Sequence, residues 1–153
     1  MAVEIGQPAP DFALKNTAGD TVTLADFAGK PLLLVFYPFT FTGICEGELC
    51  RIRDDYSQFE SAGVQVAAVS CDSKNSQKVW SEQQGYTFPL LSDFWPHGAA
   101  AQAYGVFNDT LGCATRTSFL IGADGVVADV FGTDSIGTPR EAERYTEALA
   151  KVS

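Results

Sequence analysis

Continuous apolar runs alternate along this chain with stretches whose apolar residues recur every three or four positions. "KPLLLVFYP", residues 30–38, is apolar almost throughout, the pattern of a strand buried on both faces. From Cys45 to Ser61 the apolar residues fall at Leu49, Ile52, Tyr56 and Phe59. That spacing predicts an amphipathic helix, with Gly63 as its stop. "VQVAAVSC" predicts a second buried strand, and "DSKNSQKVWSEQQGY" a helix capped by Asp72 or Ser73. "FPLLSD" predicts a short third strand. Asp93 is then expected to cap a helix with Pro96 near its first turn, running to Gly105.

Before the first run, "APDFALKNTAGDTVTLADFAGK" alternates around the turn residues "NTAGD" and predicts a hairpin followed by a short helical turn. Further on, "TSFLIGADGVVADVFG" predicts two strands around "ADG". Thr138, Pro139 and Glu141 make a capping-box pattern that opens a last helix over "TPREAERYTEALAKV". Buried strands alternating with helices, closed by an antiparallel pair, predict an α/β three-layer sandwich. The order suits a thioredoxin-like sheet with an N-terminal β-hairpin extension. No repeat or linker interrupts it, so residues 1–153 read as one domain.

Charge and composition remove several functions. The formal net charge is −9 and no basic run occurs, which argues against nucleic acid and anionic lipid as partners. No run of eighteen apolar residues exists, so no membrane span is expected. "MAVEIGQPAP" lacks the basic and apolar regions of a secretory signal, and a cytoplasmic protein is the expectation. Four cysteines, Cys45, Cys50, Cys71 and Cys113, do not make a disulfide framework for a chain of this size. The absence of C-x-x-C and the single histidine, His97, argue against a zinc site.

Each cysteine is therefore judged by its surroundings. Cys45 stands at or just before the first turn of the predicted helix, where unpaired N–H groups and the macrodipole favour an anionic, reactive sulfur. It reads either as that reactive thiol or as a core cysteine at a strand–helix junction. Thr42 lies three residues earlier, with a hydroxyl able to bond the sulfur or an incoming oxygen, and Pro38 ends the strand and shields the thiol. Arg116 opens an apolar strand. It reads either as a partner for the sulfur or as an edge ion pair. Glu48 follows Cys45 by one turn and either orients Arg116 or is solvated. Phe36, Phe39, Phe41 and Trp95 form an aromatic surround or simply core. Cys71 reads as a core residue. Cys113 lies in a predicted loop three residues before Arg116, and His97 reads as a surface residue.

Pro38, Thr42 and Cys45 reproduce the P-x-x-x-T-x-x-C motif of peroxiredoxins, with "APDFAL", Glu48 and Arg116 before "TSFLI" as supporting marks. The chain resembles that family over most of its length. Within it, "FTFTGICEGEL" and "FPLLSDFWPHGAAAQAYGVFN" look most like the actinobacterial alkyl hydroperoxide reductase E type. The resemblance implies peroxide reduction on a thioredoxin fold, with no metal and no bound organic cofactor. It gives the peroxidatic role to Cys45, substrate and transition-state hydrogen bonding to Thr42 and Arg116, and shielding to Pro38. It also implies a homodimer, and a thioredoxin-like protein or a low-molecular-weight thiol as reductant.

Cys50 departs from the reductase E pattern. Its C-x-x-x-x-C spacing after Cys45 resembles the bacterioferritin comigratory protein branch, where such a pair closes an intramolecular disulfide. Five residues of helix separate Cα atoms by roughly 8.7 Å, beyond the roughly 7 Å limit of a disulfide. The reduced protein is therefore expected to keep a continuous helix, with Cys50 pointing away from Cys45. The alternative is a one-cysteine peroxidase served by an external thiol. A dithiol oxidoreductase would want C-x-x-C and a proline in "ATRTSF"; a non-catalytic binding module would not need Thr42 and Arg116; a cysteine hydrolase is limited by the single histidine.

Overall fold

The computed structural model describes residues 2–133 and 135–152. Strands β1 (Ala13–Lys15) and β2 (Thr21–Thr23) make the N-terminal hairpin. Asn16 holds its turn by accepting the backbone N–H groups of Ala18 and Asp20, the local bonding that suits Asn to turns. There follow β3 (Leu32–Phe36), α1 (Gly43–Asp54), α2 (Tyr56–Ser61), β4 (Gln65–Ser70), α3 (Lys74–Gln84), β5 (Leu90–Ser92) and α4 (Ala99–Ala103). A small ladder of β6 (Phe107–Asn108) and β7 (Cys113–Ala114) precedes β8 (Arg116–Ile121), β9 (Val127–Thr133) and α5 (Glu143–Ala150).

Seven strands form one sheet in the order β2-β1-β5-β4-β3-β8-β9. Strands β3, β4 and β5 are parallel, whereas β8 runs antiparallel to β3 and β9 antiparallel to β8. Alternation along β3 divides the core. Leu33 and Val35 face Leu49, Ile52, Phe59, Trp80 and Tyr145 from α1, α2, α3 and α5. Leu32, Leu34 and Phe36 face Phe12, Ala101 and Tyr104 on the other side. Both faces of β3 are covered, which is why its sequence is apolar throughout. Each such side chain contributes roughly 1.5–3 kcal/mol by leaving water. The architecture is the mixed α/β, thioredoxin-like arrangement with its N-terminal hairpin joined through β1 to β5. No helix among the described residues is long and apolar enough to cross a membrane.

Three local expectations change, and one open alternative is decided. The helix expected over Cys45–Ser61 begins two residues earlier and breaks at Asp55, whose backbone (φ −96°, ψ 12°) leaves helical geometry between α1 and α2. The helix expected from Asp93 to Gly105 shrinks to α4. Asp93 still caps it, but from a distance: its carboxylate accepts the N–H groups of Ala100 and Ala101, each at 2.9 Å. Between α2 and β5, Ser73 rather than Asp72 caps α3, accepting the Ser76 N–H at 3.2 Å. The last helix starts at Glu143 rather than behind Thr138. Its would-be first turn is diverted because Arg140 turns into the protein and donates both its backbone N–H and its guanidinium to Glu48.

Candidate active site

Residues 37–42 carry the chain from the end of β3 to the mouth of α1. Pro38 is buried there. The loop is pinned by Thr40, whose N–H donates to Asp72 Oδ2 at 2.8 Å and whose hydroxyl bonds Tyr37 Oη at 3.0 Å. Phe41 has φ 66°, a left-handed conformation uncommon for a bulky residue. Thr42 takes the N-cap position with extended backbone. Its hydroxyl donates to the Phe39 carbonyl at 2.7 Å, so its proton points back into the loop rather than to the sulfur.

Cys45 is the third residue of α1 and has no exposed surface. The backbone N–H groups of Gly43, Ile44 and Cys45 have no intrahelical partner, as in any first turn, and the first helical bond runs from Glu46 N–H to the Thr42 carbonyl. Across from this mouth, β8 begins with Arg116, also buried. Arg116 Nη1 lies 3.2 Å from Cys45 Sγ and 2.8 Å from Glu48 Oε1, while its Nε donates to the Ile136 carbonyl at 2.7 Å. Strand β9 can run this close to Arg116 because residue 132 is glycine: a Cβ there would stand 2.1 Å from the Arg116 carbonyl oxygen.

Glu48 is shared by two arginines. Besides Arg116, it accepts Arg140 N–H at 2.8 Å, Nε at 3.1 Å and Nη2 at 3.0 Å. Arg140 Nη1 donates in turn to the Phe36 carbonyl and to Ser118 Oγ. Burial alone would push the Glu48 carboxyl up, but Arg140, and then Arg116, outweigh it and hold it below the ordinary carboxylate value. Two guanidinium charges against one carboxylate leave one positive charge beside the sulfur, which a thiolate at Cys45 would balance. Arg140 is the site residue that sequence reasoning missed. It lies 92 residues from Glu48, and nothing in "TPREAE" distinguishes it from a surface helix residue.

Cys50 lies in the same unbroken helix as Cys45 but faces α3. Its thiol approaches Gln84 Oε1 at 3.5 Å and Tyr86 Oη at 3.7 Å. All four cysteines are free. The continuous helix and the divergent thiols match the expectation for the reduced protein. Phe36 packs with Tyr104 and Phe119 on the far face of the sheet, and Trp95 is exposed, so neither belongs to an aromatic surround of Cys45. His97 is at the surface, bonding the Gly112 carbonyl at 2.7 Å.

Cys71 and Cys113 are both buried, and Cys113 belongs to β7 rather than to a loop. Burial, then Asp93, Cys113 and Asp72, push the Cys71 thiol up to about 12. Burial, then Cys45 and Asp72, raise Cys113 as well. Both should thus stay protonated and unreactive near neutral pH. Iodoacetamide at pH 8 is expected to label neither in the folded protein and both after denaturation. Native labelling of Cys71 as fast as that of a free peptide thiol would contradict this placement. Among the described residues no group of three or more His, Cys, Asp or Glu side chains is arranged to hold a metal ion.

A thioredoxin-like sheet, a lone buried cysteine at a helix mouth and a buried arginine on its sulfur together define a thiol peroxidase rather than a dithiol oxidoreductase. The comparisons with known proteins agree. Residues 5–130 match the model of the AhpC/TSA family, and the chain belongs to that family of peroxiredoxins. It is 43% identical over 152 residues to alkyl hydroperoxide reductase E of Mycobacterium tuberculosis, covering 99% of each chain. A bcp-type relative from Coxiella burnetii is more distant, 36% identical over 137 residues, with 86% of this chain and 89% of that one covered. The crystal structure of peroxidoxin BcpB from Mycobacterium tuberculosis superposes with a TM-score of 0.87 at 28% identity, covering 98% of this chain and 96% of that one.

Proposed function

We propose that this peroxiredoxin reduces hydrogen peroxide and organic hydroperoxides through a sulfenic acid at Cys45, residues 1–153 acting as one domain. The observation that carries the reading is the Arg116 Nη1 placed 3.2 Å from Cys45 Sγ with Glu48 bonded to the same nitrogen. The Cys45 thiolate attacks the terminal peroxide oxygen in line with the O–O bond. An S–O bond forms, the O–O bond breaks, and alkoxide or hydroxide leaves with the bonding pair and takes up a proton. The sulfur loses two electrons to become a sulfenic acid, and the peroxide is reduced.

The neighbours have separate tasks in this reading. Arg116 and the first-turn N–H groups donate to the peroxide oxygens and stabilise the charge on the departing one. The Thr42 proton is committed to Phe39, so its oxygen acts as acceptor for the hydroperoxide O–H. Pro38 shields the thiol. Glu48 holds Arg116, and Arg140 holds Glu48. A groove of about 290 Å³ runs beside Glu48, lined by Ile44, Gly47, Pro139, Arg140, Ala142 and Tyr145 among others.

Cys50 then resolves the sulfenic acid as an intramolecular disulfide, which requires the first turns of α1 to unwind. Gly43 and Gly47, both poor helix formers, favour that opening. A thioredoxin-like protein or a low-molecular-weight thiol restores the dithiol, and a homodimer is the assembly the family resemblance implies. The bonds from Cys50 to Gln84 and Tyr86 favour a second reading, in which Cys50 stays in place and an external thiol resolves Cys45. Peptide mapping after one equivalent of peroxide tests the first reading, which predicts a linked Cys45–Cys50 pair. A persistent sulfenic acid, or a bond from Cys45 to Cys113, would overturn it.

A further inference from the structure

Cys45 has no exposed surface and Cys50 faces away along an unbroken helix, so a thiol can meet an oxidised Cys45 only if α1 opens. One group of side chains ties that part of α1 to α3. Glu46, the neighbour of Cys45, accepts the Trp80 indole N–H at 3.2 Å and the Gln84 side-chain N–H at 2.8 Å, both on Oε1. Gln84 in turn accepts the Cys50 thiol, and its carbonyl is held by Arg53 Nη1. Trp80 is fully buried. Its ring lies 5.5 Å from Tyr37, 6.2 Å from Phe41 and 5.3 Å, edge-on, from Tyr86. It therefore touches the loop before Cys45, the helix at Glu46 and the wall behind Cys50.

We propose that Glu46, Trp80 and Gln84 form a latch that holds the first half of α1 closed and sets how fast oxidised Cys45 reaches a resolving thiol. The proposal rests on the peroxidase reading above, but not on which thiol resolves. Two hydrogen bonds converging on one carboxylate are of the strong, charge-assisted kind. Closed, the helix keeps its first-turn N–H groups and Arg116 around the sulfur, as peroxide cleavage needs. Open, it lets the thiol sulfur attack Cys45 Sγ: an S–S bond forms, the S–O bond breaks, and the hydroxyl leaves as water with the thiol's proton. Cys45 is reduced in that step and the thiol oxidised. Glu46 and Gln84 are positioning residues, acting through the helix without touching peroxide.

The chain has two tryptophans, and replacing the exposed Trp95 by Phe leaves Trp80 as the only tryptophan. In that background, stopped-flow fluorescence separates the peroxide step from the thiol step. Glu46→Ala and Gln84→Ala are each expected to speed the thiol step by roughly tenfold, the effect of losing a charge-assisted hydrogen bond, while the peroxide step stays close to the parent rate. Glu46→Gln keeps the acceptor oxygen without the charge, so its thiol step should fall between the parent and Glu46→Ala while its peroxide step stays near the parent. With Cys50→Ser added, the same acceleration should appear in the reaction with dithiothreitol. An unchanged thiol step in both alanine variants, or a Glu46→Gln protein that behaves like Glu46→Ala, would overturn the latch. Peptide mapping of the same samples judges Cys50 separately: acceleration without a Cys45–Cys50 disulfide keeps the latch and removes Cys50 as resolver, and a disulfide without acceleration does the reverse.

Discussion

Replacing Cys45 by Ser is expected to abolish rapid peroxide reduction while leaving the fold intact. The substitution exchanges one atom in a fully buried position. A serine hydroxyl in the same first turn gains the same N–H groups and the same Arg116, but it is not ionised at neutral pH and is a poor nucleophile without an adjacent base. Among the described residues the nearby candidates are committed: Glu48 is engaged by both arginines, and the single histidine bonds a carbonyl at the surface. Cys71→Ser should leave the peroxide step unchanged. Stopped-flow kinetics with excess peroxide checks both variants. Parent-rate consumption by Cys45→Ser would move the chemistry elsewhere.

Arg116→Ala carries the second large effect. Its guanidinium places one nitrogen between the sulfur and Glu48 and is anchored through Nε to Ile136. Losing such a charge-assisted donor in the transition state costs about 2–4 kcal/mol, or roughly a hundredfold or more in rate. Arg116→Lys should recover only part of it, because an ammonium keeps the charge but not the fork that binds sulfur, carboxylate and carbonyl together. An unchanged peroxide rate in Arg116→Ala would make the arginine structural, a partner for Glu48 alone.

What the sequence made legible follows from the range of the forces involved. The run at β3 and the three-to-four spacing after Cys45 are local patterns; β3 forms where its run lies, and the helical pattern is helical throughout except for the break at Asp55. Cys45, Thr42 and Glu48 stand within one short segment, so a motif can bring them to notice together, and Arg116 stands out as a charge opening an apolar strand. Arg140 was invisible because its partner is far away in sequence, and the same long-range pull dissolved the expected start of the last helix. Gly132 was silent for a related reason: its role is the absence of a side chain beside Arg116. Thr42 lies at the helix mouth, but its hydroxyl proton points to Phe39 rather than to the sulfur, a detail of loop geometry that motif spacing does not contain. The Glu46 contacts with α3 belong to the same class, since they depend on how two helices pack.

The central claim is that peroxide oxidises Cys45 itself. It is tested most directly by treating the Cys50→Ser protein with one equivalent of peroxide in the presence of dimedone, which traps sulfenic acids, and mapping the adduct by mass spectrometry. The account predicts a single adduct, on Cys45, formed as the peroxide disappears. Peroxide consumed with no adduct on Cys45, or with the adduct on Cys71 or Cys113, would contradict it.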